Sequence, residues 1–273
     1  MNQNKNLYKK GTAVREEIDR LSALRYPHEV SLTLLGKDGI GKLFLDVGAG
    51  SDGTLGQQLT SREVVYFALD GSKESLAAQY KAGNPTIHSD VHALGVVKEC
   101  MHVVHERFVL QGLPRSERET IIREMARAAT ERLIFLEYDW RSFRGSRNVN
   151  RFAKFAIRVL RVRDADVFAG TALRVSVRKA LRGLPWRVHP SRRFREGKKR
   201  ISYREVLLVA EAIAYLLEET GDETDRADLG HIVGRLKKEA AQTHPRKFRP
   251  PDVVTVCASS SRYHTPKRFS KNQ

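Results

Sequence analysis

The feature that most restricts this chain is a short apolar run that ends in glycines. Leu43-Phe44-Leu45-Asp46-Val47 empties directly into Gly48-Ala49-Gly50-Ser51-Asp52-Gly53, and a helical segment follows from Leu55 to Leu59. A run this short, apolar and glycine-bounded reads as a buried strand. A strand feeding a glycine turn and then a helix N-terminus is a site for a polar or charged ligand. The glycines let the backbone approach closely, and the first helical turn presents unpaired N–H groups.

The alternation continues. Val64–Leu69 reads as a second strand ending at Asp70, Lys73–Tyr80 as a helix, Thr86–His88 as a third strand and Met101–His105 as a fourth. Glu117–Thr130 is a helix and Leu133–Tyr138 a fifth strand. Strands and helices alternating at this spacing predict an α/β fold, a doubly wound and mostly parallel sheet. Upstream, residues 12–25 and 28–35 are predicted as helices separated at Tyr26-Pro27. Downstream, helices are predicted over 150–163, 171–182, 204–219 and 227–241, with an extended stretch from Trp186 to Phe194. Val253–Ala258 is a last apolar strand. The expected organisation is a Rossmann-like core over 1–140, a basic and largely helical lid over 141–249 inserted before the last strand, and a final strand with a basic tail over 250–273.

The turn has G-x-G-x-x-G spacing, weak evidence by itself. Its surroundings narrow the ligand. Asp70 ends the next strand 20 residues after Gly50, placed to accept hydrogen bonds from ribose hydroxyls, so the site is expected to hold a nucleoside. Asp46 before the turn and Asp52 within it put negative charge where a pyrophosphate would sit. Such a turn suits a cofactor that carries positive charge, such as the sulfonium and ammonium of S-adenosylmethionine.

The segments LFLDVGAGSDG, YFALDGS, SDVHAL, VVHERFVLQGL and EMARAATERLIFLEYDW resemble, in that order, the motif series of class I S-adenosylmethionine-dependent methyltransferases. They are most similar to the ubiquinone/menaquinone-biosynthesis-like branch, which methylates small molecules. EIDRLSAL, DADVFAGTALR and PPDVVTVCA extend the resemblance more loosely. It implies that Asp46, Gly48, Ala49 and Gly50 line the methionine end of the cofactor and that Asp70 holds the ribose. It further implies that Gly71 and Ser72 border the adenine, that Asp90 and the Val91 N–H meet its edge, and that His105 lies beside the transferring methyl. The expected product is S-adenosylhomocysteine. Gly112 stands where relatives often carry a histidine, which weakens the case for a proton relay there.

Methyl transfer needs a base only when the acceptor atom is protonated. Candidates are His105 and Glu106, with Tyr8 and Tyr26 as further possibilities; Tyr138, Trp140, Asp166 and Arg174 are candidate acceptor contacts beside those two tyrosines. His88, His92 and His102 lack zinc-ligand spacing with a third partner, so no metal is expected.

Charge bears on the acceptor. The chain has 49 Lys+Arg and 32 Asp+Glu, a net +17, and between Arg141 and Arg204 there are 20 basic residues against three acidic ones. The whole excess lies in that stretch, the first part of the expected lid. It favours a small anionic acceptor, methylated on O or N. RNA is an alternative, gripped by arginines with Phe143, Phe152, Phe155, Trp186 and Tyr203 available for stacking. A cofactor-binding partner protein without activity is a third reading. No run of about 18 apolar residues and no signal-peptide core occurs, so a cytoplasmic protein without a membrane span is expected. The sequence leaves the oligomeric state open.

Overall fold

Apolar residues on both faces of the central strands bury the sheet between two helical layers. The structure, a computed structural model, describes residues 25–36, 39–110, 113, 115–139, 142, 145–162, 170–195, 202–220, 223–242, 248 and 252–263. Its elements in chain order are α1 (Arg25–Leu35), β1 (Leu43–Val47), α2 (Thr54–Thr60), β2 (Val65–Asp70), α3 (Lys73–Lys81), β3 (Thr86–His88), β4 (Met101–Arg107), α4 (Arg115–Ala128) and β5 (Ala129–Asp139). There follow α5 (Arg147–Val162), α6 (Gly170–Ala180), β6 (Trp186–Val188), β7 (Arg192–Phe194), α7 (Tyr203–Thr220), α8 (Glu223–Gln242) and β8 (Asp252–Ser260).

The strand order is β3-β2-β1-β4-β5-β8-β6, with β7 also paired to β8. β1 to β5 are parallel, and β8 runs antiparallel to β5, β6 and β7. Chain order reverses between β1 and β4, which creates a crevice at their C-terminal ends. On one face, α1 and α2 pack Leu32, Leu35, Leu55 and Leu59 against Phe44, Tyr66, Val103 and Ile134. On the other, α4 and α6 pack Ile121, Ile122, Met125, Leu173 and Val177 against Leu45, Val47, Val104 and Phe135. Arg132 of β5 donates to the carbonyls of Leu34 and Leu35 and so fastens the C-terminus of α1 to the sheet.

The segment expected as one lid has two structural roles. α6, β6 and β7 belong to the sheet and its helical layer, since α6 shares a core with α4 and both strands pair with β8. α5, α7 and α8 instead enclose a core of their own, built from Val149, Phe152, Phe155, Tyr203, Val206, Leu229, Leu236 and others. Tyr26-Pro27 does not stand ahead of the second helix, as the dipeptide predicts, but lies inside α1 (Arg25–Leu35). Residues 12–24 lie outside the described residues. No described helix is long and apolar enough to cross a membrane.

Candidate functional site

β1 ends at Val47, and the next three residues turn sharply enough that Gly48 and Gly50 take φ of +66° and +64°. A Cβ on Gly48 would stand 2.3 Å from Val109 Cγ2, whereas one on Gly50 would meet nothing within 4 Å among the described residues. Gly48 therefore permits a close approach of two loops, and Gly50 leaves open space above the turn. The N–H groups of Gly48 and Ala49 both donate to the Leu69 carbonyl, which ties the turn to β2.

Asp70 ends β2 beside this turn. One of its carboxylate oxygens accepts from the Gly50 N–H at 2.9 Å and the other from the Ser72 N–H at 2.8 Å. A carboxylate offers about four acceptor sites, so each oxygen keeps one for a ligand. Ser72 also caps α3 by accepting from the Ser75 N–H, and Gly71 lies between the two acceptors of this arrangement. Asp90 is exposed and binds the backbone N–H and ring Nδ1 of His92, whose Nε2 reaches Glu117. The backbone hydrogen bond from His92 draws the Asp90 carboxyl below its ordinary value, and the bond with Asp90 raises the His92 imidazole. Val91 is half-buried next to them. The turn, the end of β2 and the loop after β3 thus line one edge of the sheet.

Asp46 and His105 are placed beneath this edge rather than on it. Both are fully buried; their strand positions are paired in register, and His105 Nδ1 donates to Asp46 Oδ1 at 2.7 Å. Asp46 Oδ2 accepts from the Tyr66 hydroxyl at 2.9 Å, and Ser31 Oγ of α1 lies 3.0 Å from His105 Nε2. Burial alone would push the Asp46 carboxyl up. His105, Arg107 and Tyr66 together outweigh it and hold the group below its ordinary value, hence ionised. The Tyr66 phenol is pushed up by burial and by Asp46.

Glu106 is also fully buried, on the opposite face of β4. Its carboxyl accepts from the Val109 and Leu136 N–H groups at 3.0 and 3.2 Å. Burial raises it to about 8 despite these donors and a hydrogen bond with Glu137. Glu106 ties the loop after β4 to β5 from within the core, a positioning role.

Three residues that the sequence reading did not single out hold the turn. Gln79, buried on α3, donates through Nε2 to the carbonyls of Gly50 and Asp52, and Asn84 donates to the Gly53 carbonyl and to Gln79 Oε1. From the other side, His28 of α1 sets Nε2 3.1 Å from Asp52 Oδ2. Burial would raise the Asp52 carboxyl. The His28 bond and the Thr54 N–H instead draw it far below the ordinary carboxylate range.

Arg174 lies on α6, half-buried, with an enclosed Nε that has no hydrogen-bond partner among the described residues. Tyr26 is in α1 and Tyr138 in β5, but their side chains, like Tyr8, Trp140 and Asp166 altogether, lie outside the described residues. Among the described residues no group of three or more His, Cys, Asp or Glu side chains could hold a metal ion.

The parallel sheet with its reversal between β1 and β4, the antiparallel β8 and the glycine turn at the reversal define a Rossmann-like methyltransferase fold. Among solved structures, the YcgJ protein from Bacillus subtilis is similar at 12% identity, over 85% of this chain and 98% of that one, with a TM-score of 0.55. A SAM-dependent methyltransferase from Thermotoga maritima is similar at 13% identity over 93% and 95% of the two chains, with a TM-score of 0.52. The [4+2]-cyclase SpnF is similar at 14% identity over 85% and 80%, also at 0.52. No protein-family profile and no curated protein matches the chain.

Proposed function

We propose that this protein is an S-adenosylmethionine-dependent methyltransferase of the ubiquinone/menaquinone-biosynthesis-like branch, acting on O or N of a small anionic molecule. The observation that carries the reading is the charge of the turn. Asp46 and Asp52 are both held ionised around a positive-φ glycine turn with open space at Gly50. A pyrophosphate would meet two negative charges there, whereas a ligand carrying a sulfonium and an ammonium would be attracted. Asp70, with an acceptor site left on each oxygen, fits a pair of ribose hydroxyls. The donor set therefore suits S-adenosylmethionine.

When bound, that cofactor supplies an electrophilic methyl group and leaves as S-adenosylhomocysteine. The protein's part is alignment and exclusion of water. The Gly50 and Ala49 backbone, braced by Gln79 and His28, would hold the methionine end. Asp70 would orient the ribose, while Ser72, Asp90 and Val91 would border the adenine. The buried Asp46–His105–Ser31 chain would fix the floor of the site and fasten α1 above it. Neither Asp46 nor His105 is read as touching the cofactor.

The fold alone does not decide the chemistry, as the similar [4+2]-cyclase illustrates. Calorimetry on the full chain tests the site: S-adenosylhomocysteine binds, and Asp70→Ala weakens it at least about tenfold, roughly 1.4 kcal/mol. Unchanged affinity sinks the assignment. Transfer of labelled methyl from the cofactor into a cell extract tests the activity, with label expected in a small product retained by an anion exchanger.

A further inference from the structure

Two groups at the β1/β4 crevice have chemistry that the cofactor site does not use. Ligands of open α/β sheets sit in such crevices. Arg107 ends β4, one residue beyond the register pair Glu106–Val47 and two beyond His105, so it extends from the same face of the sheet as His105 toward α1. Its guanidinium makes no hydrogen bond or ion pair with a described residue, yet its charge bears on both His28 and Asp46. His28 is only 3% exposed, and its Nδ1 is enclosed with no hydrogen-bond partner among the described residues. Its other nitrogen faces the Asp52 carboxylate. An ionised carboxylate accepts only, so Nε2 carries the proton and Nδ1 carries a lone pair. A buried acceptor without a donor is costly, and a ligand that donates a hydrogen bond there relieves the cost.

We propose that His28 and Arg107 form the acceptor subsite: Arg107 holds an anionic group of a small molecule, and His28 Nδ1 takes the proton from its hydroxyl or amine. This rests on the methyltransferase reading above. In the overall exchange the acceptor oxygen or nitrogen gains a bond to carbon and loses one proton. The pair of the broken carbon–sulfur bond stays on sulfur, and the proton goes to Nδ1, where Asp52 stabilises the imidazolium. Asp52 of the turn, Asp46 of β1 and Arg107 of β4 are the charged groups that act on the ring. Burial and Arg107 keep the free imidazole neutral by lowering its proton affinity, while the two carboxylates favour the charged form once a proton arrives.

The test uses the full chain saturated with S-adenosylhomocysteine, with 4-hydroxybenzoate, phenol and benzoate as probes. Calorimetry is expected to show 4-hydroxybenzoate binding at least about tenfold more tightly than phenol, and Arg107→Gln to remove that difference. His28→Gln is expected to weaken 4-hydroxybenzoate but not benzoate. His28→Asn, whose Oδ1 can stand as an acceptor where Nδ1 was, is expected to weaken 4-hydroxybenzoate less than His28→Gln does. Nitrogen-15 spectra of histidine-labelled protein should show His28 Nδ1 unprotonated near neutral pH and shifted on adding 4-hydroxybenzoate but not benzoate. Equal binding of phenol and 4-hydroxybenzoate, or binding of neither, overturns the subsite. So does an Arg107→Gln chain that loses S-adenosylhomocysteine yet still discriminates the probes, because the arginine then serves the cofactor. Failure of the unsubstituted chain to bind S-adenosylhomocysteine at all overturns the methyltransferase reading itself.

Discussion

At the scale of single residues, the glycine turn depends on one close contact and one strained conformation, and the two can be separated. Gly48 needs both its positive φ and its missing side chain, because an added methyl would run into Val109. Gly50 needs only the φ, since the space beside it is open. An alanine at either position is forced into the left-handed region, at roughly 1–2 kcal/mol. Gly48→Ala adds an overpacking cost of about 1–3 kcal/mol. Thermal denaturation should therefore rank Gly48→Ala clearly below Gly50→Ala, and equal losses would contradict the close approach of Val109. Gly48, Gly50 and Asp70 were legible in the sequence because spacing along one strand–turn–helix unit fixes where they fall. His28, Gln79 and Asn84 were not. A polar residue within a helix or turn reads as solvent-facing, and only the tertiary fold brings these three onto the turn.

At the scale of elements, β4 divides its last residues between two faces, and this decides their roles. His105 points to the α1 side and joins Asp46, whereas Glu106 points to the α4 side and binds backbone N–H groups of the loop after β4 and of β5. The folded chain keeps the Glu106 proton up to about pH 8, while the unfolded chain releases it near the ordinary 4.5. Between those values the folded state binds the extra proton. This stabilisation is complete below the unfolded value and is lost as pH rises toward 8, on the order of 1 kcal/mol per unit. His28 acts in the opposite sense, because its lowered affinity makes the unfolded chain the better proton binder below 6.5. The clean measurement is the stability difference between the unsubstituted chain and Glu106→Gln across that range. It should move steadily against the unsubstituted chain as pH rises and then level off. A pH-independent difference would mean that Glu106 is ionised throughout. The strands were legible as elements because each is a bounded apolar run. Membership of β6 and β7 in the sheet was not, since three-residue strands such as Arg192-Arg193-Phe194 carry no periodicity. The partners that place them, on β8, lie 59 to 74 residues further along the chain.

At the scale of the molecule, the structure sorts the aromatic residues that made the basic segment resemble an RNA grip. Phe152, Phe155 and Tyr203 lie in the core of the α5–α7–α8 unit, at 4%, 5% and 7% exposure, and cannot stack on bases without unfolding it. Trp186 is half-buried on β6, at the end of the sheet opposite the glycine turn. Part of the positive charge is used internally: Arg158 pairs with Asp225 and Asp228, Lys179 with Glu119, and Arg193 with the buried Asp139. Along α5, Arg147, Arg151 and Lys154 remain exposed on one stripe, without ion pairs among the described residues. Contact with RNA should then be electrostatic alone. Binding of a single-stranded RNA oligonucleotide should fall steeply with salt, in proportion to the phosphates neutralised. It should show little preference among base compositions, because the described residues offer few stacking platforms and Phe143 lies outside them. Reversing Arg147, Arg151 and Lys154 to glutamate should weaken this binding while changing stability by only about 0.5 kcal/mol, as expected for exposed positions. Ribonuclease treatment of the extract should leave methyl incorporation unchanged. Loss of incorporation, together with RNA affinity that survives high salt, would move the acceptor from a metabolite to RNA. The net charge would then mark a nucleic-acid track rather than the surroundings of a small anion.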